Sequence, residues 1–245
     1  MPSPPDLHGD WALFLDIDGT LLEHASHPDA VSVSGPLRDL IAGLERRTNG
    51  AIAFITGRSI AAVDRLFSPL SLRAAGLYGL EHRLEPGGAV TRADEPPDIA
   101  ALADEIEAEF AGRHVYVERK GPILALHTRA APELLNRSIE LVEQALDRLP
   151  KGYRVLPGNA GVELMPLEAV KGAAIRRFLE LPAFQGRQPV FLGDDTSDEN
   201  GFATVNEAGG ISIRVRPAGQ SKARFSLAGV AETLLWLDRQ LTGAE

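Results

Sequence analysis

Apolar positions along this chain follow two rhythms, and the change between them divides it. Residues 12–15, Ala-Leu-Phe-Leu, are apolar on both faces, which predicts a strand buried in a parallel sheet. Residues 34–50 repeat apolar positions at helical spacing. Ser34 is placed to cap that helix, Pro36 suits its first turn and Gly50 lies just past its end. Residues 51–56 (AIAFIT) predict a second buried strand, residues 57–70 start another helix, and residues 72–79 predict a third strand with its following loop. Such a β-α-β-α-β alternation predicts a parallel sheet sandwiched by helices.

The rhythm then changes. Residues 83–92 (RLEPGGAVTR) predict a hairpin around Gly87-Gly88, and residues 97–112 a helix. HVYVER and ILALHTR flank Lys120-Gly121-Pro122 as a second hairpin. A long amphipathic helix over 131–149 is followed by a hairpin over 153–166 with Gly158-Asn159-Ala160-Gly161 at its tip. Helix and hairpin thus occur twice in succession, which predicts four antiparallel strands covered by two helices. After Pro166 the first rhythm returns: a helix, a buried strand over 189–195, a helix, a strand over 210–215 and a closing helix. The expected fold class is α/β, a doubly wound (Rossmann-like) parallel-sheet core over 1–82 and 166–245, with an α+β cap inserted over 83–165.

Composition narrows the setting. The 245 residues are 44% hydrophobic and 24% charged, ordinary for a globular protein. No apolar run approaches a membrane span, and no membrane contact is expected. The opening MPSPPDLHGD has no basic region and no apolar core, so a secretory signal is not expected. Cysteine is absent, which excludes disulfides and thiolate metal sites, and the cytoplasm is the expected location. A net charge of −9 argues against a nucleic-acid partner, which needs basic clusters on the protein, but not against a small anion in a local site. A monomer is expected.

The chemistry lies at the strand ends. Open parallel sheets bind ligands at the carboxyl ends of their strands. Two of those ends carry acids: Asp16 and Asp18 in DIDGT, then Asp194, Asp195 and Asp198 in GDDTSDE. If the two strands are neighbours, the acids converge, and uncompensated carboxylates so close would raise one another's pKa values. A hard divalent cation with oxygen ligands resolves the conflict, and Mg2+ fits best because it takes carboxylates, waters and a substrate phosphate. One aspartate can share the metal and attack phosphorus, and the other can handle a proton. Residues 55–59 (ITGRS) bring the Thr56 hydroxyl and the Gly57 N–H to a strand-to-helix junction suited to an anion. Lys171, near a helix start, supplies a positive charge.

Taken in this order, DIDGTLL, ITGR, a lone lysine and GDDTSDE resemble the four motifs of the haloacid dehalogenase-like phosphatases. That resemblance implies Asp16 as nucleophile, Asp18 as general acid/base, and Thr56 and Lys171 as holders of the phosphoryl group. Asp16, the Asp18 backbone carbonyl and Asp194 would bind Mg2+, with Asp195 and Asp198 supporting that shell. Gly57, Arg58 and Glu81 are expected on the substrate. Only about 28 residues separate Leu22 from Ala51, most of them one helix, so the cap lies between the second and third motifs. A cap of this kind in that place resembles those of sugar-phosphate phosphatases. GLYGLEHR, VERKGPILALHTR, VELMPLEAVKG and VFLGDDTSDENGF bring the chain, from about Trp11 onward, to resemble the trehalose-6-phosphate phosphatase family of trehalose biosynthesis. The implied partner is a small sugar phosphate.

Strand parity points the same way. Val115, Val117, Leu124, Leu126, Val162 and Leu164 fit a face packed on helices. Glu118, Lys120, His127, Arg129 and Glu163 then share the other face, which is expected to look toward the catalytic acids, where polar groups of both signs suit a hydroxyl-rich sugar. Lys120, His127, Arg129 and Glu163 are the expected sugar ligands. The chain departs from the family pattern at Tyr78, where a histidine is usual, at the tip Gly158-Asn159, where Gly-Lys is common, and at Thr128, where tyrosine is usual. Sucrose 6-phosphate and mannosyl-3-phosphoglycerate stay open as substrates on those grounds. A phosphomutase is less favoured, because it needs a cap after the first motif. A non-catalytic sugar-phosphate-binding module is opposed by the presence of Asp16, Asp18, Lys171 and Asp194. His8, His24, His27 and His114 read as surface or loop positions, and His82 as within reach of the site.

Overall fold

In the computed structural model, which describes residues 1–24, 31–92, 94–149, 151–158 and 160–242, strand β1 (Trp11–Leu15) is buried along its whole length. Its side chains alternate between two cores. Trp11, Leu13 and Leu15 join one apolar cluster with residues of α1 (Gly35–Arg47), α2 (Ile60–Phe67) and α7 (Val230–Thr242). Ala12 and Phe14 join a second cluster with residues of α5 (Lys171–Leu179) and α6 (Glu199–Glu207). Strand β2 (Ile52–Ile55) splits the same way, Ile52 and Phe54 to the first cluster, Ala53 and Ile55 to the second. A strand with both faces covered has no polar face to show, which is why these runs are continuously apolar. The Ser34 hydroxyl caps α1 as expected, accepting from the Leu37 amide at 3.3 Å, and the Ser59 hydroxyl caps α2 in the same way, accepting from the Ala62 amide at 3.3 Å.

The core sheet runs β11-β10-β9-β1-β2-β3-β4, with β3 (Arg73–Gly76), β4 (Glu81–Arg83), β9 (Gln188–Gly193), β10 (Ile211–Val215) and β11 (Phe225–Leu227). Neighbours pair in parallel except β3 and β4. The chain leaves β1 toward β2 and later returns on its other side through β9, so β1 stands at the switch point. A second sheet, in the order β5-β6-β8-β7, is wholly antiparallel: β5 (Tyr116–Lys120), β6 (Ile123–His127), β8 (Gly161–Pro166) and β7 (Tyr153–Gly158). Leu124, Leu126, Val162 and Leu164 pack with Val115 and Val117 against α3 (Pro97–Glu109) and α4 (Leu135–Leu146). Among the described residues no helix is long and apolar enough to cross a membrane.

Two compact units divide the chain, Met1–Thr91 with Val170–Glu245, and Arg92–Ala169. The first crossing thus falls after Thr91 and not after residue 82. The hairpin read at 83–92 belongs to the core: β4 pairs with β3, and His82 exchanges backbone hydrogen bonds with Thr91 at 3.0 and 2.9 Å. Arginines fasten this edge. Arg83 Nε donates to the Leu72 carbonyl at 2.7 Å, and Arg73 to the carbonyls of Leu84 and Gly50 at 2.8 and 2.7 Å.

His82 is a scaffold residue. Its side chain is nearly buried, and burial, aided by the nearby Arg177, pushes its pKa down to about 4. The folded state therefore holds His82 neutral at pH values where the unfolded chain binds a proton, and stability is lost as pH falls from about 6.5 toward 4. His82→Leu is expected to lose less melting temperature than the parent between pH 7 and pH 5. Parallel pH dependence of the two in thermal unfolding would remove His82 as a cause.

Candidate active site

Strand parity sets the first contact of the site. Asp16 follows β1, its amide still held by the Leu192 carbonyl at 3.0 Å, and alternation places it on the side of Ala12 and Phe14, the side covered by α5. Lys171 is the first residue of α5. Its Nζ lies 2.9 Å from Asp16 Oδ1 and 2.7 Å from Asp198 Oδ1, with all three side chains buried. Asp198 also accepts the Asp194 and Asp195 amides on Oδ2 at 3.0 and 2.9 Å, so one carboxylate orders the loop after β9 and pairs the lysine. Burial alone would lower the Lys171 pKa, but Asp16 and Asp198 hold it well above the usual lysine value. Asp16 is pushed well above the carboxylate range by burial first, against the pull of Lys171 and with repulsion from Asp198 and Asp194 added. Asp198 is raised too, chiefly by burial, with Lys171 opposing.

The residues present suit a divalent cation. Carboxylate oxygens of Asp16, Asp194 and Asp198 lie within 4.8 Å of one another. Three carboxylates against one ammonium leave a site two charges short of neutral, and its donors are all hard oxygens, which favours Mg2+ over softer metals. Asp198 stands in this group beside its lysine. Asp195 does not: it is exposed, and its carboxylate accepts the Thr196 amide at 2.7 Å and shares a capping box with Asp198 at the short turn 196–198. Gly19 makes the close approach of the DIDGT turn feasible. Its φ is 79°, and a Cβ there would fall 1.9 Å from Asp194 Oδ2.

Asp18 faces an arginine. Arg58 Nε and Nη2 donate to Asp18 Oδ2 and Oδ1 at 2.6 and 2.7 Å, a bidentate pair. The Arg58 amide donates to the Thr56 hydroxyl oxygen at 3.1 Å. Thr56 is buried at the end of β2, next to β1. Arg58, expected on the substrate, is thus spent on the acid/base candidate in this state. Glu81, also expected on substrate, is buried and accepts the Ile60 amide at 2.6 Å, capping the start of α2. Tyr78 packs against Gly57 and lies near Lys171, so this departure falls beside the ITGR loop and the lysine. His24 reads in the sequence as a surface or loop position, and it is exposed, yet its Nε2 sits 3.1 Å from Asp194 Oδ2. His27 and Asn159 lie outside the described residues.

The antiparallel sheet carries its own polar cluster. Lys120 Nζ lies 2.7 Å from Glu163 Oε1 and 3.6 Å from Glu118 Oε2, while His127 Nε2 is 2.8 Å from Glu118 Oε2. The Tyr116 ring stacks on His127 at 5.6 Å. Register explains the grouping: Glu118 opposes Ala125, and Ala125 opposes Glu163, so only a small side chain separates the two glutamates. Burial would raise Glu118, but the His127 hydrogen bond and Lys120 bring it down to about 2. Arg129 stands apart from this set, exposed in the turn after β6.

A family model described as trehalose-phosphatase matches residues 14–231. The chain belongs to the trehalose-phosphatase family. Family relatives include a probable trehalose-phosphate phosphatase of Sinorhizobium fredii, 43% identical over 226 residues that span 92% of this chain and 85% of the relative. Another is the trehalose-6-phosphate phosphatase of Escherichia coli K12, 35% identical over 98% of this chain and 90% of the relative. The C-terminal domain of the Candida albicans trehalose-6-phosphate phosphatase superposes with a TM-score of 0.83 at 20% identity, covering 96% of this chain and 94% of that one, a likeness of fold. Membership in the trehalose-phosphatase family makes the chain a phosphoric monoester hydrolase.

Two expectations follow for this family member. Because Asp16 and Asp198 hold protons more readily than ordinary carboxylates, protons compete with a cation as pH falls. The gain in melting temperature on adding MgCl2 is therefore expected to be largest at pH 7–8 and to shrink toward pH 5, and excess EDTA removes it. A gain independent of pH would place the cation elsewhere. Gly19→Ala is expected to abolish most of that gain, since the new methyl displaces Asp194. An undiminished Mg2+ response in that variant would show Asp194 not to be needed.

Proposed function

We propose that this chain hydrolyses trehalose 6-phosphate to trehalose and phosphate, with Mg2+ and through an aspartyl-phosphate on Asp16. The observation that carries the chemistry is the buried Asp16–Lys171–Asp198 arrangement beside Asp194 at the ends of β1 and β9. Asp16, Asp194 and the Asp18 carbonyl are the groups to hold Mg2+, with Asp198 supporting them through Lys171 and the Asp194 amide, and the ion when bound supplies charge neutralisation for an anionic substrate and its transition state. Thr56, Gly57 and Lys171 hold the phosphoryl oxygens. An Asp16 carboxylate oxygen attacks phosphorus, the phosphorus–oxygen bond to the sugar breaks, and Asp18 as an acid gives its proton to the leaving oxygen. Water then attacks the aspartyl-phosphate, Asp18 takes the water's proton, and phosphate leaves Asp16 free. Arg58 engages both Asp18 oxygens in the present state, so that pair must open before Asp18 serves as the acid.

Lys120, Glu163 and His127, with Glu118, are proposed to recognise the sugar. Their mixed donors and acceptors suit hydroxyls, and the pairs they make with one another hold their side chains in place. Arg129 is proposed as an outer contact. The name borne by the relatives supports trehalose 6-phosphate over other glycosyl phosphates.

Phosphate release from trehalose 6-phosphate, sucrose 6-phosphate, glucose 6-phosphate and mannosyl-3-phosphoglycerate tests this reading. Trehalose 6-phosphate is expected to lead in kcat/KM by about tenfold or more, a difference of about 1.4 kcal/mol in transition-state binding. Asp16→Asn is expected to lower kcat by about a thousandfold or more, as loss of a nucleophile does elsewhere. A preference for another sugar phosphate would move the substrate, and full activity of Asp16→Asn would end the covalent mechanism.

A further inference from the structure

Immediately after β3 the backbone takes a turn that the β-α rhythm does not require. Leu77 and Tyr78 both lie in the left-handed region, with φ of 48° and 58°. Two successive non-glycine residues seldom do so, and such conformations persist where surrounding contacts impose them. Here the contacts are with the loop after β2. The Leu77 amide donates to the Arg58 carbonyl at 3.0 Å and the Tyr78 amide to the Thr56 carbonyl at 2.9 Å. The turn is thereby laid along residues 56–58, and the Tyr78 ring lies against Gly57. A Cβ at position 57 would fall 2.6 Å from both the ring Cζ and the hydroxyl oxygen of Tyr78. The same ring centroid is 5.8 Å from Lys171 Nζ. That distance is at the outer range of a cation–π contact, so the ring acts more as a wall than as a charge partner. Two of the three ammonium donors of Lys171 face Asp16 and Asp198.

We infer that Tyr78 is a positioning residue for phosphoryl transfer: its ring spans from Gly57 to Lys171 and fixes the spacing of the groups that hold the phosphoryl oxygens. The inference rests on the proposed roles of Gly57 and Lys171. The ring excludes water from the buried ammonium and blocks its swing toward the 77–79 turn. The left-handed turn is the device that delivers the ring, because the Tyr78 amide is anchored on the residue whose hydroxyl belongs to the same pocket.

Tyr78→Asn removes the ring and suits the left-handed backbone, since asparagine adopts it more readily than tyrosine. Tyr78→Phe keeps the ring and removes the hydroxyl. For each full-length protein with Mg2+, kcat on trehalose 6-phosphate, the Kd for inorganic phosphate by calorimetry and the melting temperature are measured. Tyr78→Asn is expected to melt within a few degrees of the parent, lose about ten- to a hundredfold in kcat, and weaken phosphate binding about tenfold. Tyr78→Phe is expected to restore both quantities to within about threefold of the parent. A merely structural role would lower the melting temperature and the active fraction while leaving the phosphate Kd unchanged, and that result overturns the inference. So does a Tyr78→Phe as impaired as Tyr78→Asn, which would assign the effect to the hydroxyl. A parent protein that turns over no sugar phosphate defeats the proposed function instead, and the phosphate Kd of the variants still decides the place of Tyr78.

Discussion

The ammonium of Lys171 lies between Asp16 and Asp198, and the loops around the strand ends are arranged by that contact. Removing one member of a buried ion pair strands the other, at a cost of about 3–5 kcal/mol. Here the stranded groups would be two carboxylates already close to a third. Asp198 is the hinge of the arrangement, because its second oxygen also accepts the amides of Asp194 and Asp195. The loop that carries a candidate metal ligand and the lysine that pairs Asp16 are held by one side chain. Even so, the cluster is left with more negative than positive charge. Such a site is stable only with protons or a cation, which is the physical link between its folding and its chemistry.

The fold delivers these groups through parity and topology. Alternation along β1 sends Asp16 to the α5 face, and the position of Lys171 as the first residue of α5 brings the ammonium to the same end of the sheet. The order β9-β1-β2 then gathers the acids after β1 and β9 and the threonine after β2, three motifs far apart in sequence. A register slip of one residue in β1 would send Asp16 to the opposite face, among α1 and α7, where its neighbours are apolar. The doubly buried strand is thus under strong constraint, and its continuous apolar run is the trace of that constraint in the sequence.

Much of this was legible beforehand. The uniform apolar runs of β1, β2 and β9 and the alternation in β5, β6 and β8 predicted both sheets, and parity correctly sorted the helix-packed valines and leucines of the second sheet from Glu118, Lys120, His127 and Glu163. What escaped was pairing at short range. β11 is only three residues long and has little pattern. The strand β4, Glu-His-Arg, is buried despite its polar sequence, because Arg83 finds the Leu72 carbonyl and Asp64 and Glu81 finds the Ile60 amide. Hydropathy cannot foresee partners of that kind. Likewise a motif names the residues Asp195, Asp198 and Arg58 without saying which partner each faces. Asp195 and Asp198 differ in role because the exposed Asp195 carboxylate only caps the turn, whereas the buried Asp198 accepts the Asp194 and Asp195 amides on one oxygen and meets the lysine with the other.

Arg58 illustrates how a single residue can serve two demands at once. Its backbone shapes the pocket: the amide orders the Thr56 hydroxyl and the carbonyl accepts from Leu77. Its side chain meanwhile grips both oxygens of Asp18. A guanidinium in that geometry orients a carboxylate through both of its oxygens, whereas an acid must carry a proton on one of them. Acid and base roles both fall to Asp18 in the proposed cycle, at different times. The pair is only partly buried, with the Asp18 side chain about 30% exposed and that of Arg58 13%, so water is at hand to take over the released hydrogen bonds and the exchange costs far less than opening the pair at Lys171. The site therefore divides its ion pairs by depth: a buried one that fixes Asp16, and a shallower one whose opening is compatible with the proton transfer proposed for Asp18.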